Sequence, residues 1–141
     1  VIFLDSNVFM YAAGSPHPHK GPSAELLRRV AVGEIEATTN AEVFQEILHR
    51  YRAIGRWEDG RRVFALARRI VPLVEPVTLA VLDSAVRLLD RCPALMARDG
   101  LHAASCLALR GARLCSYDSG FDPVAGIVRV TPDQVLKEVG R

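Results

Sequence analysis

Four consecutive apolar residues, Val1 to Leu4, run straight into an aspartate in "VIFLDSN", and no other stretch constrains the fold as much. An unbroken apolar run of strand length has no polar face to offer water, so it suits a strand covered on both sides. A sheet covered on both faces is a parallel sheet with helical crossovers. The pattern returns near the other end of the chain, where "RLCSYDSGFD" (113–122) delivers Asp118 after a strand-like run and Asp122 four residues later.

The segments between alternate in the way such a sheet requires. "IEATT" (35–39) is strand-like, the prolines of "VPLVEP" (71–76) suit a short edge strand, and "GIVRV" (126–130) supplies a last strand. Helices are expected from Ser23 to about Val32, Asn40 to Ile54, Asp59 to Ile70, Thr78 to Cys92 and Arg98 to Arg110, with Thr131-Pro132 opening a terminal one. Gly33, Gly55 and Gly111 are the expected stops. "AAGSPHPHKGPS" (12–23) is expected to be a loop, because its prolines, histidines and glycines interrupt regular structure. The 141 residues are half hydrophobic, enough for one core and short for two, so we expect an α/β protein with a single domain over 1–141.

Other classes are disfavoured by what the chain contains. No apolar run approaches the ~20 residues of a membrane span, and no basic-then-apolar leader is seen, so a cytoplasmic protein with no membrane partner is expected. Cys92, Cys106 and Cys115 lie in apolar segments without C-x-x-C spacing, which suits reduced core residues. His17 and His19 form an H-x-H with no acid or cysteine beside it, better suited to a solvated loop than to zinc. His102 and His49, three residues after Asp99 and Glu46, either face the same pocket as those acids or pack their helices.

In a parallel sheet, ligands bind beyond the carboxyl ends of the strands, where the strand order reverses. Asp5 and Asp118 both stand at such ends, and Asp99 and Glu46 lie on helices that can join them. Each has an ordinary alternative, since Asp5 can end a strand, Asp99 can sit at a helix dipole and Asp122 can shape its turn. Carboxylates gathered in one pocket repel each other and must take up protons or hold a cation, and an all-oxygen set suits Mg²⁺ or Mn²⁺. The net charge of +2 hides a basic stretch. Residues 50–69 hold seven arginines against Glu58 and Asp59, either a solvated helical face or a phosphate-contacting surface with Tyr51 and Trp57 for stacking. Arg50, Arg52, Arg56, Arg61 and Arg62 are the candidate phosphate contacts.

"VIFLDSN", "VFQEILHRY", "RDGLHAA" and "SYDSGFD", in this order and spacing, resemble the PIN-domain ribonucleases, in particular the VapC-type toxins of bacterial toxin–antitoxin pairs. The resemblance implies a three-layer α/β/α sandwich around a mainly parallel sheet. It also implies an acidic pocket binding Mg²⁺ or Mn²⁺, RNA cleavage by metal-activated water, a homodimer and a VapB-type antitoxin as partner. It places the site acids on Asp5, Glu46, Asp99 and Asp118, with Asp122 as an auxiliary metal ligand. Asp5, Asp99 and Asp118 would hold one ion and Glu46, with or without Asp122, a second or transient one, while Ser6, Asn7 and Ser116 orient water or carboxylates. Asn40 stands where many relatives have Ser or Thr. The antitoxin is expected on the 50–69 segment and the helix before it, with Phe44, Leu48 and Trp57 exposed.

Two alternatives are weighed against this. A phosphoacceptor receiver domain calls for an adjacent acidic pair after the first strand and a lysine after a late one, yet Asp5 is followed by Ser6-Asn7 and the only lysines are Lys20 and Lys137. A PIN-like module that binds RNA or protein without cleaving would lack a site acid, and all four are present.

Overall fold

The computed structural model describes residues 1–140. Strands β1 (Ile2–Leu4), β2 (Ala37–Asn40), β3 (Val74–Glu75), β4 (Arg113–Cys115) and β5 (Arg129–Val130) form one sheet in the order β3-β2-β1-β4-β5, with every neighbouring pair parallel. The unbroken apolar run is the central strand, and all three β1 residues are buried. The chain steps outward from β1 to β2 and β3, then crosses back to lay β4 on the other side of β1. The reversal therefore falls between β1 and β4, whose ends are level: Leu4 pairs with Cys115, and the Asp5 N–H donates to the Cys115 carbonyl at 3.0 Å.

Helices α1 (Ser6–Ala13), α2 (Lys20–Ala31), α3 (Ala41–Ala53) and α4 (Trp57–Ile70) pack on one another, and α7 (Pro132–Val139) packs on α2. Helices α5 (Leu79–Arg91) and α6 (Ala97–Ala108) pair with each other. With the sheet between, this is the three-layer α/β/α sandwich. Phe3, Leu4, Leu26, Ile47, Leu114 and Phe121 are among its fully buried side chains. The cysteines are free, with Cys106 and Cys115 buried. No described helix is long and apolar enough to cross a membrane.

The helix boundaries depart from expectation at the start of the chain. α1 follows β1 directly, because Asp5 is both the strand-terminal acid and the N-cap, its carboxylate accepting the Ser6 N–H at 2.8 Å. α2 begins at Lys20, three residues before the expected cap. Pro22 is tolerated there because the first-turn N–H groups have no helical partner to lose. Ser23 thus lies inside α2, and its buried hydroxyl caps nothing. β2 runs one residue beyond the expected 35–39 segment, and only Arg129–Val130 of "GIVRV" is strand. Gly33 and Gly111 hold φ of 82° and 79°, a region a side chain would strain.

Candidate active site

Asp5 is the centre of the site. It is 5% exposed at the end of β1. One carboxylate oxygen takes the Ser6 N–H, and the other takes the Ser116 hydroxyl at 2.7 Å and the Asn7 amide at 3.4 Å. The Ser116 hydroxyl in turn accepts from the Asn7 amide and from the Asp118 N–H, both at 3.0 Å, so it uses its full bonding capacity to tie the end of β1 to the end of β4. Burial raises the Asp5 pKa above the ordinary 3.8 against these donors. Asp118 is exposed and accepts the Gly120 N–H at 2.8 Å, capping a short 3-10 turn (Ser119–Phe121).

Glu46 reaches the same pocket from the second turn of α3. Ser6 donates its hydroxyl to one carboxylate oxygen at 2.7 Å, and His102 Nε2 makes a short hydrogen bond to the other. Burial alone would raise the Glu46 pKa. The bond from His102, the charge there, the Ser6 hydroxyl and Arg98 outweigh it and hold the carboxyl below its ordinary value. His102 is wholly buried and contacts both elements that carry acids, with Nε2 also 4.0 Å from Asp5.

Asn40 sets which way that imidazole points. Its amide oxygen caps α3 by accepting the Val43 N–H at 3.0 Å, so its NH₂ must face the other way, donating to Ser105 at 3.0 Å and meeting His102 Nδ1 at 3.1 Å. Nδ1 is thereby an acceptor and the ring proton sits on Nε2, aimed at Glu46. Burial lowers the His102 pKa, whereas the bond to Glu46 and the charges of Asp5, Glu46 and Asp99 raise it more. A second proton would turn an Nδ1–H toward the Asn40 amide, so that contact opposes the protonation that the surrounding acids favour.

Asp99 lies in the first turn of α6, half-buried, and accepts no hydrogen bond from another described residue. Burial and then the charges of Asp5 and Asp118 push its pKa up to about 6. A half-buried carboxyl destabilised by neighbouring carboxylates is what a bound divalent cation would relieve. Asp5, Glu46 and His102 each offer a ligand atom within 4.8 Å of the others, and with Asp99 and Asp118 the donor set is dominated by hard oxygens that fit Mg²⁺ or Mn²⁺.

The structure therefore gathers Asp5, Glu46, Asp99 and Asp118, with Ser6, Asn7 and Ser116 among them. It does not bring in Asp122, whose two oxygens are held by Arg129 at 2.7 and 3.2 Å. The expected RNA-contacting arginines separate likewise. Arg56 and Arg62 are both paired to Asp59, Arg61 lies 3.8 Å from Glu58, and Arg52 covers the Trp57 ring at 4.3 Å. Only Arg50 among the five lines the groove at Glu46, joined there by Arg98. Phe44 is 5% exposed and part of the core, its ring tilted against Phe9 and edge-on to Phe64, which corrects its placement on a docking surface. Sequence reasoning left His102 between pocket and packing, and it does both. Arg98 escaped notice, although its place next to Asp99 was the available signal.

The PIN domain family model matches residues 2–127. The chain is 40% identical over 130 residues to VapC ribonuclease Mb1869c of Mycobacterium bovis, covering 92% of this chain and 99% of that protein. It is 36% identical over 118 residues to ribonuclease VapC23 of Mycobacterium tuberculosis, covering 84% and 93%. Among solved structures the fold resembles VapBC2 from Rickettsia felis bound to a promoter DNA fragment, at a TM-score of 0.72 and 13% identity over 92% of this chain and 97% of that one. A toxin–antitoxin complex from Klebsiella pneumoniae matches with a TM-score of 0.66 and 13% identity over 94% and 98%. A sheet whose reversal point carries four acids, together with these likenesses over nearly the whole chain, places the protein in the PIN-domain family, among the VapC ribonucleases.

Proposed function

We propose that the chain, acting as one PIN domain over residues 1–141, is an endoribonuclease toxin that hydrolyses RNA phosphodiester bonds with Mg²⁺ or Mn²⁺ and is neutralised by a VapB-type antitoxin. The observation that carries this reading is the gathering of Asp5, Glu46, Asp99 and Asp118 where the sheet order reverses, in a chain 40% identical over 130 residues to a VapC ribonuclease. In this reading Asp5, Asp99 and Asp118 hold the ion and Glu46 completes a second or transient site. Bound there, the ion lowers the pKa of a water and offsets charge on the phosphoryl oxygens. Ser116 and Asn7 keep the Asp5 carboxylate turned toward the pocket, and Ser6 and His102 do the same for Glu46. None of them needs to act as a nucleophile.

Two surfaces suit the proposed partners. An apolar groove between α1, α2 and α4, lined by Phe9, Leu27, Val63, Leu66 and Ile70, has the shape for an antitoxin segment, in place of the basic face of 50–69. Leu79, Leu82 and Val86 leave an exposed stripe along α5 that a second copy would cover in a homodimer. The activity is tested with purified protein and bulk RNA. Cleavage in Mg²⁺ or Mn²⁺ that stops in EDTA and is lost in Asp5→Asn is expected, and RNA binding without cleavage in either metal would favour a binding module.

A further inference from the structure

A groove of about 660 Å³ leads away from the acids between α1 and α3, under the 14–17 loop. Glu46, Ser6 and Asn7 form its inner end, Arg50 and Arg98 line it, and Tyr11 and His17 form its outer wall. The arginines are distinctive. Where Arg56, Arg61 and Arg62 are matched by Asp59 and Glu58, Arg50 and Arg98 form no ion pair among the described residues and both face the same cavity. An anion with several oxygens can accept from both guanidiniums at once.

The outer wall is aromatic. Tyr11 and His17 lie with ring centroids 4.7 Å apart, and both are braced from behind by His19, which stacks on Tyr117 at 3.6 Å with an interplanar angle of 8°. The His17 Nδ1 accepts the His19 N–H at 3.0 Å, which fixes the ring on its loop, and the residue is exposed. The loop that sequence alone left irregular is thus pinned by four rings, of which Tyr11 and His17 face the groove. Cations near the acids and a fixed aromatic wall farther out repeat the order of a nucleotide, phosphate then base.

We infer that this groove seats one nucleotide of single-stranded RNA next to the scissile bond, its phosphate between Arg50 and Arg98 and its base against Tyr11 and His17. This rests on the ribonuclease reading, in that the strand must pass the acids to enter the groove. A stacking wall is tolerant of base identity, so the subsite contributes affinity and register more than sequence choice.

The test is fluorescence-anisotropy binding of short labelled single-stranded RNAs in EDTA, one intact and a series each abasic at a single position. The proteins are wild type, His17→Ala, His17→Phe and the Arg50→Ala/Arg98→Ala pair, each checked by thermal melting. His17→Ala is expected to bind intact RNA about tenfold more weakly, with His17→Phe restoring it. One abasic position should weaken wild type by a similar factor and weaken His17→Ala no further. The double arginine variant should lose affinity and show a shallower salt dependence. Equal binding, within about twofold, of intact and abasic RNA by wild type and His17→Ala would overturn the inference, as would variants that alter only binding of a protein partner. Cleavage in Mn²⁺ is scored separately: wild type that shows the binding pattern but cuts no RNA sinks the ribonuclease reading, and wild type that cuts without the pattern sinks the subsite.

Discussion

Asp99 reports on the pocket through its proton. Its folded pKa of about 6 exceeds the ordinary 3.8, so between those values the native state keeps a proton that the unfolded chain releases. The associated stability is present in full below 3.8 and is lost as pH rises to about 6. Metal-free wild type should therefore lose melting temperature relative to Asp99→Asn across that window. The two should melt alike at the acidic end, and the variant should melt higher at pH 7, with a pH-independent difference counting against a strained carboxyl. His102 makes a second prediction. His102→Ala removes the donor to Glu46 and one acceptor of the Asn40 amide, at a cost of about 2–4 kcal/mol, and the Glu46 carboxyl should titrate higher by NMR because the group that lowers it is gone. An unmoved Glu46 titration would mean that the contact does not set its charge. Asp5, Asp99 and Asp118 were legible in sequence because strand ends and first turns announce themselves, and Glu46 through the resemblance carried by "VFQEILHRY". The imidazole was not, since D-x-x-H spacing on a helix serves packing as well as it serves a site. Its partners also lie far along the chain: Asn40 is 62 residues away and Glu46 56.

Among the elements, α3 best shows how a local rule and a distant contact divide the work. Thr39 and Asn40 are both residue types that cap helices. The structure gives the cap to Asn40 because the Thr39 hydroxyl is committed to the Leu4 carbonyl at 2.7 Å, between adjacent strands. Glu42 is left in the first turn with only the helix dipole to favour it. Glu42→Gln should then cost ~0.5 kcal/mol and leave cleavage unchanged. Glu46→Gln can still accept from His102 while its NH₂ donates to the Ser6 hydroxyl, so it should melt near wild type and lose most metal-dependent cleavage, and the reverse pattern would assign the site to the wrong glutamate. The helix that sequence did not resolve, α1, was hidden because its cap is Asp5 itself: one residue ends the strand, starts the helix and faces the pocket. The beginning of α2 was hidden for a related reason, since Pro22 reads as a breaker although its place in the first turn is harmless.

On the scale of the whole molecule, the order β3-β2-β1-β4-β5 brings chain positions 5 and 118 together, and the apolar run of β1 made its central place legible. What sequence could not supply was how surface charge is distributed. The basic stretch of 50–69 looked continuous, but i to i+3 pairing on α4 ties up Arg56, Arg61 and Arg62, and of its seven arginines Arg50 alone lines the acidic groove. The antitoxin surface we propose is the apolar groove of α1, α2 and α4. Leu66, 53% exposed at its rim, gives a clean test: Leu66→Glu should weaken antitoxin binding at least tenfold in calorimetry while RNA cleavage stays within about twofold of wild type, and retained binding would place the partner elsewhere. The central claim, that these acids make an RNA-cutting site, is tested most directly by sequencing RNA 5′ ends in cells after brief induction of wild type or Asp5→Asn. Discrete new ends in wild type alone are predicted, and identical ends from both proteins, or none from either at equal expression, would contradict it.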